Sequence, residues 1–324
     1  MALFLHVILL ACGLVILWKC AELLVAGAVG LARMLGVSSL VVGLTVVAMG
    51  TSAPEVAASI AGVLRKTGGG DIAIGNVFGS NIANLALVGG LIAIIRPLKV
   101  RRKTLFREIP VMLAAALLLW PLLRNSHLSR LEAVVLLAVF AVLVILTIYT
   151  ARRESRLPGY ESESFEPDAK QQARSAKKNI LFILVGLAGL ALGAKMAVEG
   201  AVFIGIKIGL SERVIALTII AFGTSLPELV TCIVAAIKGH HDISVGNLVG
   251  SNIFNTLLVT GAAGVIRPFD VGPRLAGGLD YWIMVIVSAA FAALIIISRR
   301  VLGRLCGLLL VCAYIGYVIY LLLA

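Results

Sequence analysis

The chain reads as an all-α integral membrane protein, with ten transmembrane helices arranged as two inverted five-helix repeats. Three observations predict this. Of 324 residues, 60% are hydrophobic and only 14% charged, and the mean hydropathy is +1.08, far from the balance of a soluble domain. Apolar windows of about 20 residues, the length a helix needs to cross the hydrocarbon, tile nearly the whole sequence. Finally, GTSAPEV, from Gly50 to Val56, returns 173 residues later as GTSLPELV from Gly223.

The first repeat, residues 1–150, holds spans at approximately 3–30, 37–64, 72–95, 105–123 and 128–150, each of membrane-crossing length. The first span is retained, because MALFLHVILL has neither a basic leader nor a cleavage site followed by a soluble domain. Pro54 breaks the second span: it has no N–H for the carbonyl of Gly50, and its ring displaces that carbonyl. The third follows TGGG with Asp71 as helix N-cap and carries GNVFGSNIAN from Gly75. Trp120, closing the fourth, belongs near a membrane interface.

Residues 151–178 form the one long polar stretch, dense in both charge signs and without apolar periodicity, which reads as a solvated cytoplasmic connector. The second repeat, residues 179–324, has spans at approximately 180–203, 211–237, 243–266, 277–298 and 301–323. Its landmarks mirror the first repeat. GNLVGSNIFN from Gly246 answers GNVFGSNIAN, and Ile266-Arg267-Pro268 answers Ile95-Arg96-Pro97, both at an offset of 171. Thr218 answers Thr45 at 173, so the two-residue difference falls in the loops RKTGGGD and KGHHD.

Five spans is an odd number, so the second repeat enters the membrane in the opposite sense to the first. Eighteen of the 28 Lys and Arg residues then lie on one side of the membrane and eight on the other. The positive-inside rule places both termini outside the plasma membrane. The same distribution excludes nucleic acid as the partner behind the net charge of +12.

Each GTSxPE copy puts one carboxylate, Glu55 or Glu228, in mid-membrane, where an ionisable group costs several kcal/mol and marks function. A helix broken there exposes carbonyls, which is tolerated only around a cavity or inside protein. Thr51, Ser52, Thr224 and Ser225 add oxygens beside the two acids. The second motif supplies a wall: Asn76, Ser80 and Asn84, like Asn247, Ser251 and Asn255, lie four apart on one helix face over about 12 Å. Gly75, Gly79, Gly246 and Gly250 allow a second helix to approach closely. Oxygen ligands without His or Cys favour Na⁺, Ca²⁺ or Mg²⁺ over zinc or copper, and one shared site between inverted halves suits a carrier more than a channel.

These paired motifs resemble the sodium/calcium exchanger family of the calcium/cation antiporter superfamily, in its prokaryotic form without a regulatory domain, over essentially the whole chain. The resemblance implies a calcium site formed by Glu55, Glu228 and the carbonyls of Thr51 and Thr224. It implies sodium sites with Ser52, Ser80, Ser225, Ser251 and the carbonyls of Ala48 and Ala221, and Asn84 and Asn255 lining the centre. The transported ions would be Ca²⁺ and Na⁺, with no enzymatic activity and no cofactor, and one copy of the chain would suffice. One departure stands out: many members have Asp where this chain has Asn255. The cage then has two carboxylates rather than three, which leaves H⁺ open as the coupling ion.

Other polar residues have plainer readings. Lys19 with Glu22, and Lys195 with Glu199, sit at helical spacings within the first and sixth spans and read as ion pairs with snorkelling lysines, with a gating role implied by the resemblance. His240 and His241 read as a solvated turn, and the five cysteines as small apolar residues. A hydrolase reading fails, because no His or Lys lies in sequence near Ser52 or Ser225 to serve as base.

Overall fold

The computed structural model describes residues 2–65, 67–154, 175–210, 215, 219 and 221–323. Twelve helical segments carry the described chain: α1 (Ala2–Leu35), α2 (Ser39–Thr51), α3 (Ala53–Val63), α4 (Gly69–Ile95), α5 (Thr104–Leu123), α6 (Arg130–Glu154), α7 (Ala176–Lys207), α8 (Ala221–Thr224), α9 (Leu226–Ile237), α10 (His241–Ile266), α11 (Leu279–Ile297) and α12 (Arg304–Leu323). Among the described residues, eight of these are long and apolar enough to cross a membrane, and α2 with α3 makes a ninth span bent by 43°. The seventh expected span, 211–237, is described only from Ala221 onward as α8 and α9, and most of the connector lies outside the described residues. The other expected spans meet the observed helices within a few residues at each end, because runs of apolar residues bounded by charge mark both.

The burial of the helices sorts them into layers. Helices α4 and α10 run through the centre and are mostly buried, whereas α1, α6 and α12 present most of their apolar surface outward, as lipid-facing helices do. Helices α1 and α7 pack against each other along their length through small residues. A Cβ on Gly13 would come within 2.7 Å of the Ala197 nitrogen, and one on Gly193 within 2.9 Å of the Leu17 nitrogen. Only glycine allows backbones that near.

Four two-residue strands tie the halves together. Strand β1 (Leu98–Lys99) pairs antiparallel with β4 (Val301–Leu302), and β2 (His127–Leu128) with β3 (Phe269–Asp270). Each pair joins one half to the other. The first sits at the end of the bundle that also holds the Arg101–Asp242 ion pair, at 2.8 Å. The second sits where Asp71 meets Gly272. Two equivalent arginines reinforce this cross-stitching: Arg96 donates to the carbonyl of Ile237, and Arg267 donates to Val63 and Arg65 at 3.3 and 3.1 Å. Each guanidinium thus satisfies last-turn carbonyls of the other half's broken span.

Two local expectations are corrected. Asp71 is not the N-cap of α4. Gly68, at φ 66°, takes that place, so the helix starts at Gly69 and Asp71 falls within its first turn. There its carboxylate accepts a hydrogen bond from the Gly272 amide at 2.6 Å. The long helices are also not uniformly α. Wider π turns interrupt them at Gly43–Val47, Ala83–Val88, Thr104–Glu108 and Asn255–Val259. A π turn inserts one residue and rotates the face that follows, and it recurs at functional sites.

Candidate functional site

The site is built around the two breaks. Helix α2 ends at Thr51, Ser52 takes φ −85° and ψ 8°, and α3 restarts with Pro54 in its first turn, where a missing N–H does no harm. The second copy repeats this geometry: Ser225 has φ −87° and ψ 4°, with Pro227 in the first turn of α9. In both copies the glutamate follows in the first turn, so the N-terminal end of a helix dipole faces the carboxylate.

The two carboxylates belong to one site. Glu55 and Glu228 are both 0% exposed, and the Ser52 hydroxyl of the first half donates to Glu228 Oε1 of the second at 2.9 Å. Among the described residues Glu55 Oε1, Glu55 Oε2 and Glu228 Oε2 have no hydrogen-bond partner. Asn84 and Asn255 are fully buried with both side-chain polar atoms unpartnered, as is the Ser225 hydroxyl. The two asparagines lie in the π turns of α4 and α10. Unpaired polar atoms at this depth are costly, and these belong to the same two motifs that carry the acids.

The remaining expected residues take varied places. Thr51 is buried, and its hydroxyl lies 3.1 Å from both the Val47 carbonyl and Asn247 Oδ1. Thr224 ends α8, whose first residue is Ala221. Ser80 and Ser251 are buried on α4 and α10, and the Ser251 hydroxyl donates to Asn247 Oδ1 at 3.5 Å. The Ala48 carbonyl accepts from the Ser52 amide at 3.0 Å and lies 3.4 Å from the Thr51 hydroxyl.

Sequence reasoning gave Asn76 and Asn247 only a place on the wall face. In fact Asn76 Nδ2 donates to the carbonyl of Glu55 at 3.2 Å and to Ser59 Oγ at 2.9 Å. Asn247 Nδ2 donates to Cys232 Sγ at 3.2 Å. Ser59 and Cys232 are equivalent, each one turn beyond its glutamate. That shared position in the repeat was the available signal.

Access differs at the two ends. At the β2·β3 end a cavity of 790 Å³ is lined by Asp71, Asn76, Gly79, Ser80, Asp280 and others. At the β1·β4 end a smaller one, 270 Å³, is lined among others by Leu44, Thr45, Glu108 and Gly250. A Cβ on Gly250 would lie 2.7 Å from the Leu44 carbonyl and one on Gly246 2.8 Å from the Leu40 carbonyl, so α2 packs backbone to backbone on α10. The expected close approach is therefore present at this copy. At Gly75 and Gly79 the counterpart of α2, residues 211–220, lies largely outside the described residues.

The peripheral ion pairs hold as expected, with one addition. Lys19 meets Glu22 at 3.2 Å and Lys195 meets Glu199 at 3.8 Å, while Lys238, at the end of α9, also reaches Glu22 at 3.3 Å. His241 opens α10 rather than a free turn.

Two carboxylates surrounded by amide, hydroxyl and carbonyl oxygens can hold a hard cation. Among the described residues no group of three His, Cys, Asp or Glu comes together, so neutral oxygens must complete any coordination sphere. Comparison with known proteins agrees with this chemistry. The family model for the sodium/calcium exchanger protein matches residues 5–149 and 178–323. The Inner membrane protein YrbG of Escherichia coli is 38% identical over 95% of this chain and 94% of its own. The Sodium/calcium exchanger MaX1 of Methanosarcina acetivorans is 32% identical over 97% of both. Among solved structures, the sodium-calcium exchanger NCX_Mj, soaked with zero Na⁺ and Ca²⁺, superposes with a TM-score of 0.81 at 28% identity, covering 98% of this chain and 99% of that one.

Proposed function

The chain belongs to the sodium/calcium exchanger protein family, and from that premise we propose that it exchanges Ca²⁺ for Na⁺ by alternating access to the cage around Glu55 and Glu228. One observation carries the reading: two fully buried carboxylates, one from each motif copy, present three oxygens with no partner among the described residues. Two like charges held so close in a low-dielectric core repel strongly unless cations neutralise them. Calcium wants about six to eight oxygens. Glu55 and Glu228, with the carbonyls of Thr51 and Thr224, supply the charged part of that set. Ser52, Ser80, Ser225, Ser251 and the carbonyls of Ala48 and Ala221 serve Na⁺, and Asn84 and Asn255 line the centre.

Transport follows from the same electrostatics. An unloaded cage that closed would bury two unneutralised charges, so the transition between faces is slow when empty. Loading by one Ca²⁺, or by several Na⁺, removes that barrier, and obligatory exchange results. Alternating access needs two equivalent routes, and residues 1–150 and 179–324 form inverted five-helix halves that provide them. The crosswise pairing of β1 with β4 and β2 with β3 supports this symmetry, because it exchanges the halves at opposite ends of the bundle. Ten spans follow once 211–237 is counted as one. The basic β1·β4 end then faces the cytoplasm with the connector, and both termini lie outside the inner membrane.

The test is Ca²⁺ uptake into proteoliposomes loaded with Na⁺, compared with K⁺ loading and with an imposed pH gradient. Uptake that requires internal Na⁺ and disappears in Glu55→Gln is expected. Uptake driven by the pH gradient and indifferent to Na⁺ would overturn the ion pair while leaving the cage intact.

A further inference from the structure

We propose that Asn247 is a positioning residue that ties the broken span of the first half to that of the second and thereby sets the width of the carboxylate cage; its functional part rests on the exchange reading above. Asn247 is fully buried on α10. Its carbonyl oxygen faces the Thr51 hydroxyl at 3.1 Å, at the end of α2, and its amide nitrogen lies 3.2 Å from Cys232 Sγ, on α9. The amide is oriented with its oxygen toward two hydroxyls and its nitrogen toward the sulfur. The Cys232 thiol lies 3.5 Å from the Ser244 carbonyl, and when its proton points there its sulfur accepts from Asn247. On the other side Thr51 and Ser251 both present hydroxyl donors to the Asn247 oxygen.

The bridge has an unusual reach. Thr51 stands four residues before Glu55, and Cys232 four residues after Glu228. Asn247 therefore spans from the approach to one acid to the turn beyond the other, alongside the direct Ser52 to Glu228 bond at 2.9 Å. A displacement of either broken span must strain this bridge or break it. Its equivalent, Asn76, places its amide nitrogen within its own half, on the Glu55 carbonyl and Ser59. The link described for Asn247 joins the two halves beside both carboxylates and bears on their spacing. Cage width is what separates Ca²⁺ from the smaller Mg²⁺, which demands shorter bonds and near-ideal geometry.

A double-mutant cycle tests the bridge. Thr51→Val removes the hydroxyl and keeps the backbone carbonyl, and Asn247→Leu removes the amide. In proteoliposomes each variant should raise KM for Ca²⁺ about ten-fold, the effect of losing one buried hydrogen bond, with kcat within about three-fold and weaker discrimination against Mg²⁺. The double variant should be no worse than the poorer single one, because both remove the same contact. Cys232→Ser should keep wild-type KM, since Ser59 already accepts the equivalent bond in the first half. The same cycle is read on unfolding midpoints in detergent without added Ca²⁺ or Na⁺, where non-additivity is again expected. Additive midpoint shifts would overturn the bridge, and an unmoved KM in both singles would overturn its control of the cage. Failure of wild-type protein to exchange Ca²⁺ for Na⁺ would instead sink the exchange reading, with the unfolding cycle still deciding the bridge.

Discussion

The two wall helices carry nearly the same motif and meet different neighbours. On α10, Gly246 and Gly250 receive the backbone of α2 so closely that a methyl group would collide with the carbonyls of Leu40 and Leu44. On α4, Gly75 and Gly79 face open space among the described residues, and a cavity of 790 Å³ runs past them to Ser80. Near-identical sequence meets the α2 backbone on α10, while the counterpart stretch in the second half, residues 211–220, lies largely outside the described residues. The two wall helices are buried to the same degree, and both motifs carry the same polar residues.

The harshest way to break the comparison is to remove its shared element. Glu55→Gln and Glu228→Gln each leave one buried carboxylate without its charge partner for a divalent ion, an effect of about 3–5 kcal/mol by analogy with broken buried pairs. Ca²⁺ uptake should fall at least about 100-fold in both. A variant of either residue that retains full exchange would show that the halves do not share one site.

A finer test concerns the close packing of α2 on α10. Gly250→Ala inserts a methyl group 2.7 Å from the Leu44 carbonyl and 2.8 Å from the Ala48 Cβ. It should cost about 1–3 kcal/mol through overpacking, measured by unfolding in detergent. A loss of less than about 0.5 kcal/mol would mean that α2 gives way to the methyl group and is not held by close backbone contact.

How much of this was legible beforehand depends on the kind of contact. Hydropathy located the spans, since lipid demands apolar length regardless of tertiary detail, and the prolines located the breaks. Convergence of Glu55 with Glu228 followed from the duplication, and the Ser52 to Glu228 bond realises it. The π turns that carry Asn84 and Asn255 were not visible, because widening a helix by one residue leaves no compositional mark. Gly68 displaced Asp71 from its expected cap for a similar reason: three consecutive glycines leave the start of a helix to tertiary contacts, here with Gly272.

The mildest test concerns a charge contact between α9 and α1. Lys238, at the end of α9, pairs with Glu22 of α1 at 3.3 Å, while the aligned position in the other half of the repeat places Lys195 where Glu22 stands, with Arg65 the residue 173 positions before Lys238. An attractive contact at one end thus corresponds to two like charges at the other. Both partners are partly exposed, so the pair contributes less than about 1 kcal/mol. That is still enough to shift a conformational balance by up to about five-fold. Lys238→Ala should therefore leave KM near wild type and change the exchange rate by about two- to five-fold, with a smaller change at high ionic strength where the pair is already screened. Reversal of the charges, Glu22→Lys with Lys238→Glu, should restore the wild-type rate, because the attraction survives the exchange of partners. A rate unchanged by Lys238→Ala would mean that this ion pair takes no part in the conformational balance of exchange.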